Sequence, residues 1–92
     1  SAQLDWMLCF SAVVERGSFT AAAAALGCSK AHVSRQVAEL ERSLGVSLLL
    51  RTTRRLALTG AGHRFAEHAA RLRRDFDEAR QAIAAERDAV QG

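Results

Sequence analysis

The sequence predicts a mainly α-helical fold: three helices, a short β-hairpin and one long closing helix. Three observations carry this. Residues 19–44 hold two helical patterns that meet at Gly27-Cys28-Ser29, with Ala23, Gly27 and Val33 at the spacing of a helix-turn-helix. Residues 46–58 switch from helical to alternating periodicity around a basic turn. Residues 65–90 then carry apolar residues at seven of eight positions spaced four and three apart, a heptad seam in a chain without proline. Together they describe a winged helix-turn-helix over residues 1–58, followed by a linker and dimerisation helix over residues 59–92.

The first helix is expected from about Leu4 or Asp5 to Arg16, with Leu4, Met7, Phe10, Val13 and Val14 forming its apolar stripe. Asp5 suits its positive N-terminal end. Gly17 ends it and Ser18 caps the next helix. That second helix, Phe19 to Leu26, is rich in alanine, the strongest helix former. Gly27 stops it, and Ser29 stands where the third helix needs an N-cap. The third helix starts at Lys30 and sets Val33, Val37, Leu40 and Leu44 on one apolar face, with Gly45 as its stop. Trp6 and Phe19 are expected to cover the core.

Val46, Leu48 and Leu50 alternate, as do Leu56 and Leu58, so they read as two short strands with two or three paired residues each. Between them lies Thr52-Thr53-Arg54-Arg55, a turn without glycine. Thr59 caps the long helix, about Gly60 to Val90. Gly60 and Gly62 weaken its first turn by about 1 kcal/mol each relative to alanine. Phe65, Ala69, Leu72, Phe76, Ala79, Ile83, Glu86 and Val90 follow at spacings of four and three, a seam broken only at Glu86. At ~1.5 Å per residue such a helix projects about 45 Å, beyond the core this chain can build. Its far half must find a partner or fray; self-association through Phe65, Ala69, Leu72, Phe76, Ala79 and Ile83 is the first expectation, and packing on a further downstream domain the second.

Charge separates the two parts. The net charge is +3: residues 1–58 hold seven Lys/Arg against four acids, and residues 59–92 hold six of each. Twelve of the thirteen basic residues are Arg, which favours forked contacts over point charges. A basic segment joined to a charge-balanced helix fits a nucleic-acid module with a dimerising arm. Cys9 and Cys28 are too few for a disulfide framework; Cys9 reads as a small core residue and Cys28 as a turn residue. His63 and His68 are five apart, and neither Cys nor carboxylate completes a metal site around them. No nucleophile–base pair or phosphate loop suggests an enzyme. No cofactor is expected. Nothing reads as a signal peptide or membrane span, so a cytoplasmic location is expected.

The chemistry of the third helix points to DNA. Away from its apolar face it carries Ala31, Ser34, Arg35, Ala38 and Arg42. Small residues let a helix enter a major groove, and an arginine fork can reach guanine O6 and N7. Arg51, Arg54 and Arg55, at or beside the hairpin turn, could reach phosphates or an adjacent minor groove. An ordinary helical hairpin with a charged surface shares this local pattern, and so does a protein-interaction module whose basic face is incidental. Salt separates them, because binding through several phosphates weakens steeply with salt and a heptad interface does not.

The chain resembles the N-terminal DNA-binding region of LysR-type transcriptional regulators. The likeness runs through residues 10–19 (FSAVVERGSF), Ala22-Ala23, Leu26-Gly27, Ser29 and Val33-Ser34-Arg35-Gln36-Val37. It continues through Leu40-Glu41, Leu44-Gly45-Val46, Leu48-Leu49, Arg51-Thr52-Thr53-Arg54, Leu58-Thr59 and Ala61-Gly62. The resemblance implies base-reading positions at Lys30, Ala31, Ser34 and Arg35, and a wing arginine at Arg54. Ser29, His32, Arg51, Thr53, Arg54 and Arg55 are the expected contacts to the backbone or minor groove. It also implies antiparallel pairing of linker helices into a homodimer on an interrupted palindrome in double-stranded DNA, and allows a tetramer of a longer protein. A small-molecule effector would act only through a further sensing domain that this sequence lacks. The chain departs from the family pattern at Lys30 and Ala31, where Gln and then Ser or Pro are common, at His32, where His is unusual, and at Gly60, where an acid is common.

Overall fold

The computed structural model describes residues 2–50 and 55–91. Its elements run α1 (Ala2–Arg16), α2 (Phe19–Leu26), α3 (Lys30–Leu44), β1 (Leu49–Leu50), β2 (Ala57–Leu58) and α4 (Gly60–Gln91). α2 and α3 have the expected bounds, because their caps are chemically explicit. The Ser18 hydroxyl accepts the Ala21 N–H at 3.0 Å, and the Ser29 hydroxyl accepts that of His32 at 3.0 Å. Gly27 adopts φ 71°, and the Gly27 and Cys28 N–H groups return to the Ala24 and Ala23 carbonyls. That left-handed closure turns the chain sharply between the two helices. α1 starts two or three residues earlier than expected, since Ala2 and Gln3 are themselves good helix formers.

The core lies where α1, α2 and α3 meet. Phe10, Val13, Val33, Val37 and Leu48 are its largest fully buried side chains, with Ala22 and Ala23 allowing α2 to come close. Trp6 and Phe19 pack on its flank. Leu44 departs from the expected apolar face: it is 43% exposed, one turn beyond Leu40 and past the edge of the core.

The wing strands pair antiparallel, Leu49 with Leu58 and Leu50 with Ala57. The expected alternation fails. Leu48 and Leu49 are both buried, whereas Val46 and Leu50 are exposed. A Glu41 carboxylate oxygen on α3 accepts the N–H groups of Leu48 and Leu49, at 2.7 and 3.2 Å. This draws the chain against α3, and Leu48 enters the core before the ladder begins. The expected wing tip, Arg51, Thr52, Thr53 and Arg54, lies outside the described residues.

α4 is anchored at its start. Thr59 Oγ1 donates to the Ser47 carbonyl at 2.7 Å and accepts the Gly62 N–H at 2.9 Å, while the Thr59 N–H bonds the Leu48 carbonyl at 3.0 Å. Gly62 is therefore more than a weak helix former: a Cβ there would sit 2.0 Å from the Leu48 carbonyl oxygen. Phe65 packs edge-on against Phe10, with ring centroids 5.8 Å apart, and Ala69 is 1% exposed. Beyond them α4 runs free of the core and gives the molecule its 53 Å long axis.

Candidate nucleic-acid interface

α3 is built with two faces. Val33, Val37 and Leu40 hold it in the core, while Lys30, Ala31, Ser34, Arg35, Ala38 and Arg42 are exposed. The separation follows from the 3.6-residue repeat, which sends positions 33, 37 and 40 one way and 31, 34, 35, 38 and 42 the other. Arg42 pairs with Glu39 on its own helix, and that hydrogen bond and charge push its guanidinium pKa higher still. Arg35 makes no ion pair among the described residues, so its fork is available. His32 is half-buried at the helix start. Ser29 is exposed, and accepting from the His32 N–H leaves its own hydroxyl proton to donate outward.

The positive end of the α3 dipole lies at Ser29 and Lys30, where anions are favoured. Of the basic residues expected at the wing, Arg55 is described and exposed. Arg51, Thr53 and Arg54 fall outside the described residues. Glu41 was not among the expected site residues, yet it ties the wing strand to α3. A glutamate between apolar helix positions, eight residues before a strand, is the signal that could have found it.

The expected pairing residues divide into two groups. Phe65 and Ala69 face this chain's own core, as described above. Leu72, Phe76, Ala79 and Ile83 are exposed, Phe76 at 65% and Ile83 at 64%. Leu72 and Phe76 join Leu4, Met7 and Leu8 of α1 around an apolar groove of about 440 Å³. Leu4 and Leu8, one turn apart on α1, were not expected on this surface.

Other reactive groups are placed away from α3. Cys9 is buried; burial pushes its thiol pKa up, and Cys28 and Asp5 add to that, so it remains a neutral thiol at neutral pH. His63 is exposed, and His68 Nδ1 lies 3.0 Å from an Arg71 guanidinium nitrogen. Among the described residues no cluster of His, Cys, Asp and Glu could hold a metal, and no helix is long and apolar enough to cross a membrane.

Residues 4–63 match the family described as bacterial regulatory helix-turn-helix protein, lysR family. An HTH-type transcriptional regulator of Xanthomonas campestris pv. campestris is 52% identical over 80 residues, covering 87% of this chain and 23% of that protein. The chain spans about a quarter of the length of the curated relatives it matches. Among solved structures, the BenM DNA-binding domain in complex with benA site 1 DNA is similar at a TM-score of 0.81 and 36% identity, covering 89% of this chain and 95% of that one. The same domain with catB site 1 DNA is similar at a TM-score of 0.80 and 36% identity, covering 97% of both chains.

Proposed function

The chain belongs to the lysR family of bacterial regulatory helix-turn-helix proteins, and from that membership we propose that it binds double-stranded DNA by sequence and regulates transcription. α3 enters the major groove and the wing lies along the backbone and adjacent minor groove. The observation that carries this reading is the outward row of α3: exposed Ala31, Ser34, Arg35 and Ala38 on a helix whose other side is locked by Val33 and Val37. Lys30 and Arg35 supply donors to bases, Ala31 and Ser34 the close approach, and Ser29, His32, Arg51, Thr53, Arg54 and Arg55 the backbone and minor-groove contacts. Residues 1–58 read DNA and residues 59–92 pair two copies, so that two α3 helices meet an interrupted palindrome with half-sites about one helical turn apart. This work takes place in the cytoplasm on the chromosome, and the domain carries no catalytic role.

Selection of bound sequences from a random duplex pool tests the reading directly. Unselective recovery, or binding that does not weaken with salt, would count against it. On the selected site, Arg35→Ala is expected to cost about 1–3 kcal/mol and to relax preference at one base pair per half-site. Equal losses on selected and random duplexes would make Arg35 a phosphate contact instead. Arg54→Ala is expected to weaken binding and flatten any preference for A·T pairs flanking the major-groove contact, because a narrow minor groove attracts arginine. Unchanged discrimination in that variant would remove the wing from the groove.

A further inference from the structure

Arg73 lies one turn beyond Ala69, where α4 leaves the core. Its Nη1 donates to two acceptors on α1: the Ser11 hydroxyl at 3.4 Å and a Glu15 carboxylate oxygen at 2.5 Å. Ser11 is buried in the α1 face beneath α4, and Glu15 follows one turn later. Both bonds converge on one nitrogen, so Arg73 supplies one fixed point of α4 on α1. The seat of Phe65 on Phe10, about two turns earlier on α4, supplies another, and two points resist rotation of α4 across α1.

We infer that Arg73, with Ser11 and Glu15, is a positioning set that fixes the angle between the DNA-reading domain and α4, and thereby the half-site spacing the dimer accepts. The inference rests on the proposed pairing through α4. Residues 74–91 continue past the contact for about 27 Å at ~1.5 Å per residue. A tilt of about 10° at Arg73 therefore displaces the far end by about 5 Å, more than the ~3.4 Å rise of one base pair. The pair is partly exposed, with the Arg73 side chain at 35% and that of Glu15 at 54%. Such a pair shifts an equilibrium between two helix angles by up to about fivefold. The lever makes that modest bias legible as base-pair spacing. Base identity, read by α3 on the other side of the domain, is left alone.

The test measures affinity of the full chain for its selected operator and for duplexes whose spacer is one or two base pairs longer or shorter. The parent should lose affinity at each altered spacer. Arg73→Ala and Glu15→Ala should reduce that spacer penalty by up to about fivefold, while the affinity for a single half-site and the sedimentation of the dimer stay as in the parent. Arg73→Lys, and the swapped pair Glu15→Arg with Arg73→Glu, should restore the penalty. An Arg73→Ala profile that matches the parent, or one that falls equally at every spacing, overturns the positioning role. A parent that sediments as a monomer overturns the pairing itself, and that result is visible before any substitution is made.

Discussion

Replacing Leu72 and Phe76 together with glutamate should abolish the proposed pairing, leave the chain monomeric and reduce affinity for a two-half-site operator by about a hundredfold or more. Both side chains are large and exposed, at 54% and 65%, on a helix that has already left its core. With Leu4 and Leu8 they form an apolar surface that the chain itself leaves uncovered. Burying each side chain contributes about 1.5–3 kcal/mol, so losing both removes about 3–6 kcal/mol from association even before like charges meet across the seam. The fold should survive, because neither residue belongs to the buried cluster. Sedimentation at tens of micromolar and titration of operator and single half-site separate the outcomes. A double variant that still dimerises, or that loses affinity for a single half-site to the same degree, would assign pairing to another surface.

Gly62→Ala should be the most damaging small substitution in the chain. The added methyl would lie 2.0 Å from the Leu48 carbonyl oxygen, a backbone atom that also receives the Thr59 N–H. Relief requires α4 to lift from the wing strand, at the cost of the Thr59–Gly62 cap and the seat of Phe65 on Phe10. Overpacking of this severity costs about 3 kcal/mol. For a domain this small the midpoint of thermal unfolding should fall by about 12–24 °C. Gly60→Ala is the control: the nearest atom to its Cβ is the end of the flexible Arg64 side chain at 3.5 Å. That variant should be neutral or gain up to about 1 kcal/mol from helix propensity. Circular dichroism melts should separate the two proteins, Gly62→Ala falling while Gly60→Ala holds or rises; equal melts would mean that α4 does not need this close approach.

The contrast between these glycines shows where sequence reading stops. Both appear as weak helix formers in one turn, and only the neighbour across space distinguishes them. Capping chemistry is local, so Ser18, Gly27, Ser29 and Gly45 mark α2 and α3 to the residue. The outward row of α3 is equally legible, because a 15-residue helix samples its repeat fully. Strands of two residues are too short to establish a repeat. Glu41 reaches Leu48 and Leu49 from another element, and their burial follows that long-range contact. The seam of α4 has one continuous period yet serves two environments: Phe65 and Ala69 turn to Phe10 and the core, Leu72 and Phe76 to the open groove. A heptad pattern specifies a face without naming what covers it. Arg73 and Glu15 are 58 positions apart, and nothing in either local sequence couples them.

The two-sided construction of α3 has a consequence for how such a domain changes over generations. Ala31, Ser34, Arg35 and Ala38 are exposed, and none belongs to the buried cluster. Substitutions there by other helix-compatible side chains should alter stability by no more than about 0.5 kcal/mol. On the proposed reading of DNA by α3, the vocabulary of operators can therefore drift, or be rewritten in a library of variants, without first accumulating stabilising mutations elsewhere. Selection on that proposed output and selection on folding would then act on opposite sides of one helix, each at its own pace.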